Sequence, residues 1–407
     1  MTPSRPRPAL LALAYLAFVS LGLPDAVLGL AWPSLRDTFS LPQVGMGAIL
    51  AASAASYFVS GMLAGRLIQA LNVGLLLAAS TAIVALGLAG YATVPFFVLF
   101  LVAACFAGFG SGAIDAALNT YAAQHFGPRH MTWLHAAYSI GATLGPVLMT
   151  WLLARGAGWR SGYAVIGVVL ATLAVIFIVM RKQWDGGPTG AAEGEGRPDG
   201  VTPTASAWEA LRRPRVQLQS LIFFFYTGVE VTGGQWAYTV LKEGRGLGTA
   251  EAGTWTSFYW GSLFVGRVLS GFIVERLGPV RMLRLSTGLA VVGALLFTLP
   301  AVPPPIGLGL LGLALAPIFP ALMSETPRRV GKDVAAHAVG FQVSAGTLGV
   351  AVLPSAAGFV AERFGVSIVA PQLLGYTVVL LVLHGLLTLS ADRPAVAGGE
   401  ARAGGEA

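Results

Sequence analysis

The sequence contains about twelve apolar segments, each long enough to cross the roughly 30 Å hydrocarbon core of a bilayer as a helix. In the 407-residue chain, 55% of residues are hydrophobic and only 11% are charged. Soluble domains carry about 25% charged residues, so an ordinary soluble fold is excluded. We therefore expect an all-α membrane protein with about twelve transmembrane helices. The predicted spans are 9–32, 43–65, 74–91, 95–121, 131–153, 161–180, 216–241, 252–274, 282–300, 305–323, 335–360 and 370–389.

The basic residues lie in the loops between these spans. A net charge of +7 and a sequence pI near 9.8 can indicate nucleic acid binding, but no soluble basic face is present, so no nucleic acid partner is expected. With a cytoplasmic N-terminus, the inner loops hold more arginine and lysine than the outer loops. This asymmetry follows the positive-inside rule. It predicts a multi-pass protein of the plasma (inner) membrane with both termini in the cytoplasm.

A polar stretch divides the chain into two halves that are weakly similar. A shift of roughly 206 residues brings the halves into register, as a parallel internal repeat requires. We expect an N-terminal six-helix bundle at 1–181, a cytoplasmic linker at 182–215 that ends in a short surface helix, a C-terminal six-helix bundle at 216–391 and a disordered cytoplasmic tail at 392–407. The shift places Pro24–Asp25 beside Glu230–Val231 and Asn72 on Gly278. With two more residues of shift, Gly141 falls on Gly349 and Pro146 on Pro354.

The loop after the eighth predicted span reads GFIVERLGPVR, from Gly271 to Arg281. It resembles the cytoplasmic loop signature of the major facilitator superfamily. The resemblance implies two six-helix bundles that face each other across a central cavity and work by alternating access. In this motif Gly271 allows close helix approach, the Glu–Arg pair can bridge helix ends, and Gly278 permits a tight turn. The residues expected to act in gating are Gly271, Glu275, Arg276, Gly278 and Arg281, together with Arg267 in the eighth span.

Four further segments are similar to the fucose permease branch of sugar–proton symporters. They read GAIDAALNTY, LHAAYSIGATLGP, FFYTGVEVTGGQW and APIFPALMSE, and they cover both halves. The resemblance implies transport of a small molecule, with sugars as the favoured class, a proton as the coupling ion and no other cofactor. The alternative is proton-driven multidrug or metabolite efflux by antiport. Efflux is disfavoured because Val147 to Thr150, which follow Pro146, lack the paired glycines of such exporters.

Asp25, Asp115 and Glu230 lie deep inside apolar segments. An ionised Asp near the bilayer centre costs roughly 2.5–3.5 kcal/mol, so these residues are expected to face a cavity or a partner. Pro24 should break the first helix beside Asp25 and free backbone carbonyls. We expect the three carboxylates to carry the coupled proton. For Asp25 the alternative is a fixed neutral acid that is hydrogen-bonded to a neighbour.

Polar and aromatic residues near these carboxylates predict a substrate site. Amides and carboxylates can hydrogen-bond to hydroxyls, and an aromatic ring can cover the apolar face of a sugar. Packing and membrane-interface roles are the alternatives for the aromatic residues, and a core position is the alternative for the histidine. The expected substrate-binding residues are Asn119, His135, Tyr226, Glu230, Gln235, Trp236, Tyr259, Trp260 and Gln342.

Two features limit the other classes of function. Arg267 needs a counter-ion within the membrane, for which Glu325 is one choice and snorkelling to the surface is another. The single cysteine, Cys105, excludes an intrachain disulfide and a Cys-based metal site. The sequence shows no nucleotide-binding loop and no cluster of catalytic groups. We therefore expect a monomeric transporter rather than an enzyme, a primary pump or a receptor.

Overall fold

The computed structural model describes residues 8–126, 128–184, 206–331 and 333–391. These residues are α-helical apart from short loops and single turns of 3₁₀ and π helix. The helices are α1 (Pro8–Asp25), α2 (Leu28–Phe39), α3 (Gly45–Thr93), α4 (Phe97–His125), α5 (Pro128–Ala154), α6 (Gly158–Val179), α7 (Ala207–Arg212), α8 (Pro214–Thr239), α9 (Thr249–Leu277), α10 (Pro279–Thr298), α11 (Pro304–Leu315), α12 (Ile318–Val330), α13 (Ala335–Phe364) and α14 (Val369–Ala391).

The number of membrane-crossing helices agrees with the sequence. Ten helical segments of the described chain are long and apolar enough to cross a membrane. One of them, α3, contains 49 residues and consists of two helices joined at Asn72, which has a non-helical backbone. Helix α8 has 26 residues, enough to span, although its polar residues keep it outside that group of ten. The prediction of an all-α membrane protein with about twelve spans is confirmed.

The first span is broken where Pro24 predicts a break. Helix α1 ends at Asp25 and α2 begins at Leu28, and the amide of Val27 donates to the Pro24 carbonyl at 3.2 Å in the turn between them. A proline cannot donate a hydrogen bond and its ring interferes with the preceding helical turn. As a result, the backbone at Asp25 is available to a neighbouring helix.

Glycine contacts recur in both halves at the spacing that the sequence repeat predicts. Gly22 of α1 lies against the backbone of α5, and Gly228 of α8 lies against Gly349 and its neighbours in α13. In return, Gly141 of α5 meets the backbone of α1, and Gly349 of α13 meets the backbone of α8. A Cβ at any of these four positions would overlap main-chain or packed side-chain atoms. The halves therefore pair equivalent helices through equivalent glycines, which supports the internal repeat.

The two loop motifs also share a backbone conformation. Asn72 has φ 55° and ψ 168°, and Gly278 has φ 73° and ψ 155°. Each residue lies directly before the helix that forms the next span. The internal repeat in the sequence aligns Asn72 with Gly278. The tight turn expected at Gly278 is therefore present, and its counterpart in the first half uses an asparagine.

Several contacts join the two halves at one end of the bundle. Arg36, which follows the first break, forms an ion pair with Glu243 at 3.1 Å. The backbone amide of Gln43 donates to Glu362, and Gly47 lies directly against Ser355. We call this the outer end, because the positive-inside rule predicts that it faces away from the cytoplasm, and the opposite end the inner end.

Part of the predicted linker and the predicted tail lie outside the described residues. Within the linker, the structure describes residues 182–184 and 206–215, which include the short helix α7 that was expected there. Residues 185–205 and 392–407 are not described.

Candidate functional site

Asp25 lies at the break of the first span, between the two halves. Its Oδ2 accepts a hydrogen bond from the Tyr138 hydroxyl at 3.0 Å. Its backbone carbonyl, freed by the break, accepts a hydrogen bond from Gln235 Nε2 at 2.8 Å. Tyr138 belongs to α5 and Gln235 to α8, so the residue is surrounded by polar groups of both halves. The side chain of Asp25 is nevertheless exposed, which indicates a space that water can enter.

Asp115 forms a second carboxylate site in the N-terminal half. Its Oδ2 accepts a hydrogen bond from the Tyr57 hydroxyl at 2.7 Å, and its Oδ1 accepts one from Asn119 Nδ2 at 2.9 Å. Asn119 follows Asp115 by one helical turn of α4, so the two side chains share a face. Asp115 is partly accessible and interacts electrostatically with Asp25. The helices thus hold two carboxylates near each other.

Glu230 of α8 is the counter-ion of Arg267. Arg267 Nη2 lies 3.2 Å from Glu230 Oε1, and the Tyr226 hydroxyl donates to Glu230 Oε2. The Tyr259 hydroxyl donates to the backbone carbonyl of Glu230 at 2.8 Å. Arg267 Nη1 also donates to Ser139 Oγ at 2.6 Å. Because Ser139 lies on α5, this guanidinium joins the C-terminal half to the N-terminal half.

The sequence-based choice of Glu325 as the partner of Arg267 is wrong, as is snorkelling to the surface. Glu325 lies 3.9 Å from both Arg328 and Arg329 near the end of α12. The side chain of Arg267 is 16% exposed and points into the bundle, where Glu230 is the adjacent acid. An internal partner avoids the desolvation of an unpaired charge.

The three carboxylates therefore differ in their partners. Glu230 faces a permanent positive charge, whereas the hydrogen bonds that the described chain donates to the side chains of Asp25 and Asp115 come from tyrosine and asparagine. Asp25 and Asp115 have no cationic partner among the described residues. This difference separates them from Glu230, which is ion-paired.

His135 lies between aromatic residues of both halves. Its ring centroid is 5.5 Å from that of Phe18 in α1 and 6.5 Å from that of Phe319 in α12. The histidine is partly accessible, and Asp115 and Arg267 are close enough to act on it electrostatically. His135 thus lies where the two halves meet, and its role in substrate binding stays a prediction.

Three residues expected to bind substrate are packed by protein atoms instead. Trp236 is 1% exposed, and its indole donates to the Pro354 carbonyl at 3.0 Å. Trp260 is 4% exposed and packs on Gly234. Gln342 is fully buried, and its amide group bonds to Thr326 and Gln219. This differs from the sequence-based expectation because each of these side chains packs against a neighbouring helix. Tyr226 and Tyr259 are likewise buried, and both donate hydrogen bonds to Glu230.

Apart from Arg267, which lies inside the bundle, the predicted gating residues lie at the inner end, where there is open space around Gly271. A Cβ on Gly271 would meet no described atom within 4 Å, and the same holds for Gly65 in the first half. The close helix approach expected at Gly271 is therefore absent from this conformation. Arg276 and Arg281 are exposed on either side of the turn at Gly278. The side chain of Glu275 lies outside the described ones.

Sequence reasoning missed Tyr57, Tyr138 and Ser139 as partners of the charged groups. Tyr138 and Ser139 belong to the segment LHAAYSIGATLGP. Their hydroxyls lie within four residues of His135 in an apolar span, and this clustering of polar groups could have indicated a role in the site. The sequence signal for Tyr57 was weaker, because a single tyrosine in a transmembrane span is common. Only the helix packing shows that Tyr57 reaches Asp115.

A twelve-helix membrane protein with two related halves and charged groups between them has the architecture of a secondary transporter. The sequence profile of the Major Facilitator Superfamily matches residues 14–354. The chain therefore belongs to the major facilitator superfamily.

Curated relatives are distant but cover most of the chain. Bypass of stop codon protein 6 of Saccharomyces cerevisiae is 23% identical over 406 residues, covering 90% of this chain and 80% of that protein. Sodium-dependent glucose transporter 1A of Mus musculus is 25% identical over 313 residues, covering 67% and 70%. Glucose/galactose transporter of Brucella abortus is 23% identical over 368 residues, covering 82% and 83%.

Solved structures show the same fold. A bacterial homologue of the human lysosomal transporter Spinster, inward-facing and unoccupied, has a TM-score of 0.76 at 15% identity, covering 97% of this chain and 100% of that one. The nucleoside transporter NupG has a TM-score of 0.71 at 15% identity, covering 95% and 98%. FucP in the outward conformation has a TM-score of 0.63 at 18% identity, covering 93% and 99%. At these identities the likeness shows the fold alone.

Proposed function

We propose that this transporter moves a small polar solute, of the sugar class, by alternating access, and that Asp25 and Asp115 carry a coupled proton. The observation that carries the proposal is a pair of carboxylates, Asp25 where the halves meet and Asp115 in the N-terminal half. Each is hydrogen-bonded to a tyrosine, and neither is ion-paired with a cation among the described residues. Two ionised carboxylates in a low dielectric repel each other, so a proton shared between them lowers the energy of the site.

The conformation supports a site that is open to the inner end. The outer end is closed by Arg36 with Glu243 and by Gln43 with Glu362, while Gly65 and Gly271 have open space at the inner end. In this state the exposed Asp25 exchanges its proton with the compartment at the inner end. In the opposite state it exchanges with the outside. Alternation between the two states couples proton flow to solute movement.

The polar groups around the carboxylates support an uncharged, hydroxyl-bearing solute. The fixed charges Glu230 and Arg267 neutralise each other, so the site does not require a charged solute. Gln235 is 3% exposed, and its buried Oε1 has no hydrogen-bond partner among the described residues. This oxygen can accept a hydrogen bond from a solute hydroxyl that reaches it. Asn119 and His135 add further hydrogen-bonding groups from the N-terminal half. The proposed binding set is Asn119, His135, Glu230 and Gln235, and the names of the glucose and galactose transporters above agree with this class.

Uptake by the purified protein in proteoliposomes tests the proposal. A panel of radiolabelled hexoses and nucleosides is offered with an inward proton gradient, an inward sodium gradient or neither. We expect a proton gradient to drive uphill accumulation of at least one hexose. Accumulation under sodium alone would overturn the proton assignment, and outward movement driven by an inward proton gradient would indicate efflux instead.

Asp25→Asn and Asp115→Asn should abolish uphill accumulation, because an amide cannot bind and release the proton. At least one of the two variants should keep gradient-free exchange of the solute. Glu251→Gln is the matched control, since Glu251 is an exposed acid in the first turn of α9. Full accumulation by both single variants and by the double variant would refute the assignment of the proton.

A further inference from the structure

A basic cavity lies at the inner end of the C-terminal half, away from the site between the halves. Its volume is about 630 Å³, and it is formed where α8 begins and α12 ends. Four of its seven lining residues are arginines, which is a high density of positive charge for a chain with few charged residues. The lining residues are Arg213, Pro214, Arg215, Arg328, Arg329, Val330 and Gly331.

A small apolar cluster fixes the walls of this cavity. Ala210, Val216, Val330, Val334 and Ala338 form a buried core that joins α7, α8, α12 and α13. This core is separate from the main core of the bundle. The arginines therefore project from a packed frame rather than from free loops.

The first arginine of the cavity has its own partners. Arg213 Nη1 donates to the Val330 carbonyl at 3.1 Å, and its guanidinium pairs with Asp333. Glu209 lies 3.8 Å from Arg213 Nη2. Arg213 thus closes the wall between α8 and the loop before α13.

The positive charges of Arg328 and Arg329 are less well neutralised by neighbouring acids. They share Glu325, whose Oε2 lies 3.9 Å from a nitrogen of each, beyond hydrogen-bond distance. The side chain of Arg329 is only 8% exposed, and its Nη1 is buried with no hydrogen-bond partner among the described residues. A buried cation without a full set of acceptors is costly. The side chain of Arg328 is 80% exposed and free to turn toward a ligand.

From this geometry we propose that the cavity binds the phosphate group of an anionic ligand, with Arg215, Arg328 and Arg329 as its contacts. Guanidinium groups bind phosphate oxygens in pairs and with charge assistance. The N-terminus of α8 adds the positive end of a 26-residue helix at Pro214. A phosphate oxygen of the ligand then supplies the acceptor that the buried Nη1 of Arg329 lacks among the described residues.

The position of the cavity admits two sources of phosphate, a phospholipid headgroup or a soluble phosphate. Trp208 of α7 is 62% exposed, and the guanidinium of Arg212 lies 4.9 Å from its ring. Exposed tryptophan with arginine is typical of the membrane interface. Basic pockets at this depth on the cytoplasmic side bind anionic headgroups in other membrane proteins.

The test compares ligand binding by the purified full-length protein in detergent. Native mass spectrometry measures retention of phosphatidylglycerol against phosphatidylcholine, and tryptophan-fluorescence melting measures protection by inorganic phosphate against chloride at equal ionic strength. The variants are Arg328→Gln, whose side chain is exposed enough to leave folding intact, and Arg329→Gln. Arg66→Gln is the matched control, because Arg66 is an exposed arginine in the N-terminal half.

We expect phosphatidylglycerol to bind preferentially and each cavity variant to weaken that binding by about fivefold, with no change in the control. Protection by inorganic phosphate that Arg328→Gln removes would also support the site and would identify a soluble ligand as its occupant. Equal retention of both lipids together with no protection by phosphate would overturn the proposal. So would equal losses in Arg328→Gln and Arg66→Gln.

Discussion

At the residue scale, Arg267 and Glu230 form an ion pair within the bundle. The two side chains are 16% and 12% exposed, so their charges depend on each other more than on water. Removing one member of a buried ion pair leaves an uncompensated charge, which is more destabilising than removing both. Tyr226 and Ser139 extend the pair and fix its orientation.

Arg267→Gln should therefore reduce the free energy of unfolding by about 3 kcal/mol, whereas adding Glu230→Gln should restore a large part of it. Thermal unfolding of the purified single and double variants measures both changes. Arg276→Gln, at an exposed position of the same helix, is the control and should stay within about 0.5 kcal/mol of the unmodified chain. A double variant no more stable than Arg267→Gln would contradict the pairing.

Asp333 gives a prediction that depends on pH. It lies in the loop between α12 and α13, and its hydrogen bonds with Arg213 lower the pKa of its carboxyl group below the ordinary 3.8. A lowered pKa in the folded state contributes stability above the pKa of the unfolded chain, and this contribution is lost as the pH falls through the folded pKa. The melting temperature of Asp333→Asn should lie below that of the unmodified chain at pH 7, and the two should converge below about pH 4. A difference independent of pH would show that the carboxylate charge is not its origin.

At the element scale, the second and third spans join at Asn72, whose backbone adopts a conformation that glycine favours. The φ of 55° with ψ of 168° at Asn72 is strained for a residue with a Cβ, and Gly278 adopts a similar conformation without that strain. The side chain of Asn72 compensates in part, because its Oδ1 accepts a hydrogen bond from the Leu75 amide at 3.0 Å. The first-half turn thus combines a strained backbone with a side-chain cap of the following helix.

Asn72→Ala should lose the cap and keep the strain, so we expect a loss of about 1–2 kcal/mol in unfolding free energy. Asn72→Gly should lose the cap but remove the strain, so its stability should stay close to that of the unmodified chain. Gly278→Ala adds strain to the second copy and should destabilise by about 1 kcal/mol or more. Chemical or thermal unfolding of the three variants gives the ranking, and equal stability of Asn72→Ala and Asn72→Gly would contradict it.

The helices and turns could be predicted from the sequence more directly than the side-chain contacts of the site. Pro24 predicts the break of the first span because proline removes a donor, and the loop motif predicts the turn at Gly278 because of its glycine. The partner of Arg267 depends instead on how α8 and α9 are rotated about their axes. Apolar spans carry a weak directional pattern, so the sequence did not show that Trp236 turns toward α13 while Gln235 reaches Asp25.

At the scale of the whole molecule, the ion pair of Arg36 with Glu243 closes the outer end. The side chains of Arg36 and Glu243 are 20% and 27% exposed, and Glu243 also approaches Gln43 Nε2 at 3.4 Å. The contact exists only when the halves meet at this end. It should therefore stabilise the inner-open state relative to the outer-open state.

Glu243→Gln should shift the balance toward the outer-open state by up to about fivefold, the value of a partly exposed ion pair. Labelling of a reporter cysteine, Ser355→Cys, in a background with Cys105→Ser measures this, since Ser355 lies against Gly47 when the outer end is closed. The charge-reversed pair Arg36→Glu with Glu243→Arg is the control and should return the labelling rate toward its original value. An unchanged rate in Glu243→Gln would show that the ion pair does not hold the outer end closed.

The glycine contacts of α1 with α5 and of α8 with α13 also bear on how the halves move. Main-chain atoms touch at Gly22 and Gly141 in one half and at Gly228 and Gly349 in the other, which leaves no space for these helices to slide past each other. Each helix pair should therefore keep its internal geometry during a transport cycle. In hydrogen–deuterium exchange, the amides at these crossings should be the slowest in the protein, and their exchange should not change when solute is added.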